Sequence, residues 1–145
     1  MSGHPLVFGS DHAGIGLKKH LMEHFKNAYE IIDVGTRDTS SCDYPEYAVR
    51  AGREVLKRNC LGILVCGTGI GMSMVANRIK GIRAALCANE FMARMSRKHN
   101  DANILCLGDR VIGSELAVGI AEEFLAREFE AGRHARRVEM MDSLT

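Results

Sequence analysis

Five short apolar runs punctuate the chain: Leu6–Phe8, Tyr29–Val34, Leu61–Val65, Ile82–Cys87 and Asn103–Leu107. Each is followed by glycine or small polar residues, and segments of helical length separate them. The runs are mostly Val, Ile and Leu with little alternation, as expected of strands covered on both faces in a parallel sheet. Strand–helix alternation of this kind implies a doubly wound α/β domain with right-handed crossovers.

The intervening segments carry helical signals. Leu17, Leu21 and Phe25 recur at i, i+4, i+8 and form one apolar stripe. Asp43-Tyr44-Pro45 opens a second helix, with Pro45 suited to its first turn. The inward face of that helix is Tyr47, Ala48, Ala51 and Val55. Gly71 to Ile79 is almost wholly apolar, which predicts a buried helix. Phe91, Met92 and Met95 mark a short helix, and Leu116, Ile120 and Phe124 a longer one. A last helix, from Glu130 to Leu144, packs on the same domain or reaches a neighbouring subunit. With no linker, repeat or low-complexity tract, residues 1–145 are expected to form one domain.

Composition removes several classes of function. Net charge is +1, from 19 basic and 18 acidic residues, which argues against nucleic acid as a partner. No run approaches the roughly 18 apolar residues of a membrane helix. The N-terminal residues lack the layout of a signal peptide. Five cysteines (Cys42, Cys60, Cys66, Cys87 and Cys106) are odd in number and form no C-x-x-C pair, so reduced thiols in a cytoplasmic protein are expected. The chain's one H-x-x-x-H spacing, His20 to His24, lies on the polar side of a helix, and there is no calcium-type carboxylate loop, so no metal and no cofactor are expected.

Ligands of such sheets bind beyond the carboxyl ends of the strands. That rule selects 9–14, 35–44, 66–71, 87–90 and 108–113. The strongest local feature is I-L-V-C-G-T-G-I-G-M-S at 63–73, where a strand ends, three glycines alternate and a helix begins. Glycines let backbone N–H groups converge on an anionic oxygen beside a helix N-terminus. Neither the dinucleotide fingerprint nor the P-loop fits. A tight turn without ligand is the plainer alternative. Cys66 stands at the strand end beside that helix, where a thiolate is stabilised; nucleophile, general base and buried structural thiol all stay open. Cys87 and Cys106, inside apolar strands, are expected to be buried structural thiols.

Three further clusters are candidates. In G-S-D-H-A-G at 9–14, Asp11 either caps a helix or joins His12 in proton handling. His99 and Asn100 fall in S-R-K-H-N-D-A-N, read as a polar turn before the last strand. Arg133 and Arg137, in G-R-H-A-R-R, share one helical face and suit a phosphate clamp, or else a solvated basic surface. His4, His20 and His24 receive no role.

Together G-S-D-H-A-G, D-Y-P-E-Y-A, the 62–78 block G-I-L-V-C-G-T-G-I-G-M-S-M-V-A-N-R, G-I-R-A-A-L-C, S-R-K-H-N-D-A-N-I-L-C-L-G and G-R-H-A-R-R-V-E resemble type B ribose-5-phosphate isomerases, in the same order from residue 6 to about 139. The resemblance implies a Rossmann-like three-layer α/β/α sandwich with a five-stranded parallel sheet. It implies a cofactor-free isomerase, homodimeric or homotetrameric, with sites at subunit interfaces. Cys66 would act as the base between C2 and C1 of the open-chain sugar. His99 would assist ring opening, with Asp43 or Tyr44 nearby. Thr68 and the amides of Gly67, Gly69, Ile70 and Gly71 would hold the cis-enediolate. Asp11 and His12 would bind hydroxyls or the phosphate end, and Asn100, together with His99, would hold the hydroxyls across the dimer interface. Arg133 and Arg137 would grip the phosphate, with Arg110 as a third contributor. A family branch that uses glutamate has it where this chain has Met72, which places the chain in the cysteine branch.

Three other readings compete. A hexose 6-phosphate isomerase, acting on allose or galactose 6-phosphate, would use the same machinery and differ only in the room between Cys66 and the arginines. A non-catalytic flavodoxin-like module would bind a phosphate or nucleotide through 67–71, and leaves the joint presence of Cys66, His99 and the arginines at ligand-edge positions unexplained. A thiol nucleophile or redox role for Cys66 is the third.

Overall fold

The computed structural model describes residues 3–145. Five strands, β1 (Pro5–Ser10), β2 (Glu30–Asp33), β3 (Leu61–Cys66), β4 (Ala84–Leu86) and β5 (Ile104–Gly108), alternate with helices. These are α1 (Ile15–Phe25), α2 (Tyr44–Arg58), α3 (Ile70–Ala76), α4 (Glu90–Asn100), α5 (Ser114–Ala126) and α6 (Arg133–Asp142). The strands form one parallel sheet in the order β2-β1-β3-β5-β4.

A core lies on each face of the sheet. On one, Leu6, Phe8, Ile63, Val65, Leu105 and Leu107 meet the apolar sides of α1, α4 and α5. On the other, Val7, Leu64, Cys66 and Cys106 meet α2 and α3. Double coverage explains why the strands read as continuous apolar runs. Burial of each large side chain, such as Phe8 or Phe124 at 0% exposure, contributes about 1.5–3 kcal/mol. Leu17, Leu21 and Phe25 are all buried, as their stripe predicts, and so are Ala48, Ala51 and Val55 of α2. Cys87 and Cys106 are buried too.

Three helix expectations need correction. α3 is not buried all round: Met72 and Ala76 face the core, while Ile70 and Met74 are 47% and 66% exposed. The short helix at Phe91 runs eleven residues, and Phe91 and Met92 are exposed. It takes in His99 and Asn100, which are therefore helical. The cations Arg97, Lys98 and His99 suit the negative end of a helix, and Asp101 ends it in the left-handed region at φ 48°. The last helix starts at Arg133 rather than Glu130.

Two devices fix the sheet margins. At the β4 edge, the Asn77 amide donates to the Ala84 carbonyl and its oxygen accepts the Ala84 N–H, 2.9 and 2.7 Å away. It occupies groups an exposed edge would otherwise present. Beyond β2, the fully buried Lys18 of α1 reaches Asp33 at 2.7 Å and the Thr36 carbonyl. No helix of the described residues is long and apolar enough to cross a membrane.

Candidate active site

The strand order creates a switch point. From β1 the chain moves to β2 on one side; from β3 it moves outward to β4 on the other. The corresponding crossover helices, α1 and α3, lie on opposite faces. The carboxyl ends of β1 and β3 are therefore the switch point, where ligands of such sheets bind. Ser10 pairs with Val65 there, so Asp11 and Cys66 leave neighbouring strands side by side.

Asp11 is 7% exposed and caps the short 3-10 turn His12–Gly14, its Oδ1 accepting the Ala13 and Gly14 amides at 3.0 Å. The capping reading of this residue is thus realised. It leaves Oδ2 outside those bonds. Gly14 is obligatory, since a Cβ there would stand 2.5 Å from the Val65 carbonyl oxygen.

Cys66 is the last residue of β3 and is 6% exposed. Its sulfur accepts the Gly69 amide at 3.1 Å, and the Thr68 hydroxyl accepts the Ile70 amide at 3.2 Å. Two of the amides expected to hold an oxyanion are therefore already engaged. Gly71 and Met72 amides remain, because the first turn of α3 has no internal acceptor for them. With its oxygen accepting, the Thr68 hydroxyl keeps its proton to donate. Gly69 has φ +80°, and a Cβ there would meet Leu86 at 2.6 Å and the Leu107 backbone at 3.0 Å. Only glycine lets the loop lie this close to β5.

Other expected residues join this loop. Tyr44 opens α2 with its ring over Gly71, 2.6 Å from where a Cβ would stand. Asp43 precedes it as the N-cap residue, without a side-chain cap bond. His12 Nδ1 accepts the Cys42 amide at 3.2 Å, which fixes the neutral ring as an Nε2–H donor. The Arg110 guanidinium lies 3.3 Å from the Cβ position of Gly67, and its amide donates to the Gly67 carbonyl.

The remaining candidates stand elsewhere. α4 starts at the carboxyl edge of the sheet and ends at the amino edge, just before β5. His99 and Asn100 occupy its last turn, so the length of β3, roughly 20 Å at ~3.3 Å per residue, separates them from Cys66. α6 follows α4 to that edge: Asp142 pairs with Arg83, just before β4, at 3.1 Å. Arg133 and Arg137, one turn apart on α6, are exposed. The expectation of one ligand edge for Cys66, His99, Arg133 and Arg137 is corrected. The structure brings together Asp11, His12, Asp43, Tyr44, Cys66–Gly71 and Arg110, and gathers His99, Asn100, Arg133 and Arg137 at the far edge. It follows that the chain's own Asp43 and Tyr44 are not beside its own His99.

Sequence reasoning missed two residues there. His134 stacks on His99 with ring centroids 4.1 Å apart, and Glu130 approaches both imidazoles. The i, i+4 spacing of Glu130 and His134 was the only signal. Lys98 bonded to Glu130 holds that carboxyl below its usual range, and the covering of His134 together with nearby His99 and Arg133 lowers its imidazole. Among the described residues, His99, Glu130 and His134 are the one group with metal-type donors.

The Ribose/Galactose Isomerase family profile matches residues 6–141. Ribose-5-phosphate isomerase B of Escherichia coli K12 is 43% identical, over 96% of this chain and 95% of that one. A Clostridium thermocellum ribose-5-phosphate isomerase B structure superposes with TM-score 0.94 at 47% identity, covering 97% of this chain and 96% of that one. The Trypanosoma brucei type B ribose 5-phosphate isomerase superposes with TM-score 0.94 at 36% identity, covering 99% of both chains. With the profile spanning nearly the whole sequence, and the fold shared throughout, the chain belongs to the ribose/galactose isomerase family of enzymes.

Proposed function

We propose that this enzyme interconverts ribose 5-phosphate and ribulose 5-phosphate without cofactor, in the cytoplasm, with residues 1–145 acting as one domain. The observation that carries the proposal is the Cys66 sulfur at the switch point, against a glycine loop with amides and a hydroxyl able to hold an oxyanion. The names of the 43%-identical and 47%-identical relatives support the pentose as substrate.

The chemistry runs in three steps. His99 gives a proton to the ring oxygen as the C1–O4 bond breaks, and recovers one from the anomeric hydroxyl as the aldehyde forms. The Cys66 thiolate then takes the C2 proton; the electron pair forms the C1–C2 double bond, and the charge settles on O1. Thr68 and the Gly71 and Met72 amides stabilise this enediolate. The hydroxyl proton passes from O2 to O1, C1 recovers the proton from Cys66, and the C2 carbonyl forms. His12 and Asp11 hold hydroxyls, Asn100 assists, and Arg133, Arg137 and Arg110 bind the phosphate, whose remote binding energy holds the open chain in place.

Cys66 and His99 of one chain lie at opposite edges, so the site needs two copies of the chain. One supplies the Cys66 loop with Arg110; its partner supplies His99, Asn100, Arg133 and Arg137. The exposed apolar residues Met74, Phe91, Met92, Met140 and Leu144 support such an association, with α6 contributing to the subunit interface. Turnover of ribose 5-phosphate and allose 6-phosphate, measured side by side in chelator without added cofactor, tests the reading. Faster turnover of the pentose supports it; preference for the hexose transfers the enzyme to the other branch, and no turnover of either refutes catalysis.

A further inference from the structure

His99 does not stand alone at the far edge. Its ring lies parallel to that of His134 within 13°. The two Nε2 atoms stand 3.7 and 3.9 Å from the same Glu130 oxygen, too far for hydrogen bonds but close enough to fix the polarity of the gap. Glu130 is pinned twice to α4: its amide donates to the Lys98 carbonyl at 3.0 Å, and its other oxygen meets the Lys98 ammonium at 3.1 Å. Exposure divides the imidazoles. The His99 side chain is 37% exposed and the His134 side chain 12%, so one ring faces outward and the other backs it.

A bound dication is a poor account of this cluster. Near-parallel rings direct their nitrogen lone pairs side by side, whereas a tetrahedral ion needs them to converge. Lys98 and Arg133 already place positive charge at its border. The arrangement suits an aromatic backing plate better.

We propose that His134, backed by Glu130, is a positioning residue that holds the His99 imidazole in one plane for the ring-opening proton transfer. This rests on the assignment of His99 to ring opening above. The χ1 and χ2 freedom of a half-exposed histidine at a helix end would otherwise spread its nitrogens over many directions. Stacking confines the ring, and misplacement by about 1 Å costs on the order of 10²-fold in rate.

The test separates ring opening from enolisation. Ribulose 5-phosphate cannot close a five-membered ring, because its O5 carries the phosphate, so exchange of its C1 proton in D2O needs the Cys66 half of the chemistry alone. His134→Ala is expected to lower kcat for ribose 5-phosphate about ten- to a hundredfold with KM little changed. Its C1 exchange, followed by proton NMR, should stay at the wild-type rate. His134→Phe, which restores a flat ring, should recover most of the turnover. Wild-type turnover in His134→Ala beside a slow His99→Ala would overturn the proposal and leave the function intact. Parallel loss of exchange and turnover in both His134 variants would make the residue merely structural. Wild-type turnover in His99→Ala would overturn both assignments at once.

Discussion

The Gly69 amide donates to the Cys66 sulfur over 3.1 Å, from within the loop that Gly69 alone can form. A hydrogen bond to sulfur strengthens when the sulfur becomes anionic. The base and the cradle for its product are thus one structural unit, set by the end of β3 and the left-handed turn that follows.

Cys66→Ser keeps the size of the side chain and the amide contact but replaces a thiolate former with a weak acid. Turnover should fall about 10²–10⁴-fold, the range of a lost general base. The thermal unfolding midpoint should stay near that of the parent. Both are read on one preparation, by coupled isomerisation assay and by thermal melt. Substantial surviving activity would remove Cys66 from the role of base.

Lys18 supplies a stability prediction. Burial lowers its ammonium from the ordinary range, against the opposing bond to Asp33. Removing one partner of such a pair leaves the other uncompensated, at a cost of up to about 3–5 kcal/mol. Lys18→Met should therefore destabilise strongly in urea unfolding, and the double variant Lys18→Met/Asp33→Asn should recover part of the loss.

Alkaline pH tests the buried thiols. Burial pushes Cys87 up to about 11 from its usual 9.0, and raises Cys106 as well. Between pH 9 and 11 the unfolded chain loses the Cys87 proton that the folded chain keeps. The folded state then binds more protons, so stability falls as pH rises, by up to about 1.4 kcal/mol per unit for each group. Lys18 acts with the opposite sign, its unfolded form holding the extra proton. Comparing wild type with Cys87→Ser cancels that contribution. The variant should show a shallower decline in urea midpoints across this window.

The architecture was legible in the sequence because two-faced burial writes itself into continuous apolar runs. Leu17, Leu21 and Phe25, or Ala48, Ala51 and Val55, announce helices packed on one side. The glycine loop was legible for a similar reason, since Gly67, Gly69 and Gly71 do local work. Residues 99 and 100 were misread because a polar S-R-K-H-N-D string resembles a turn, yet its cations complement a helix end. The opposite edges of His99 and Cys66 follow from chain order. In a parallel sheet a segment just before a strand lies at the amino edge and one just after it at the carboxyl edge; grouping both as ligand-edge positions ignores that order. His134 is harder to read: its i, i+4 spacing to Glu130 is the one local signal, and stacking on a ring 35 residues away adds none.

Subunit complementation tests the central claim most directly. Cys66→Ser and His99→Ala are each expected to be nearly inactive alone. In a mixed dimer, Cys66 of the second variant faces His99 of the first, which makes one intact site and one doubly defective site. Random pairing should therefore restore about one quarter of wild-type activity per subunit. Inactive mixtures, with mixed dimers demonstrated by mass spectrometry, would contradict a site built from opposite edges of two chains.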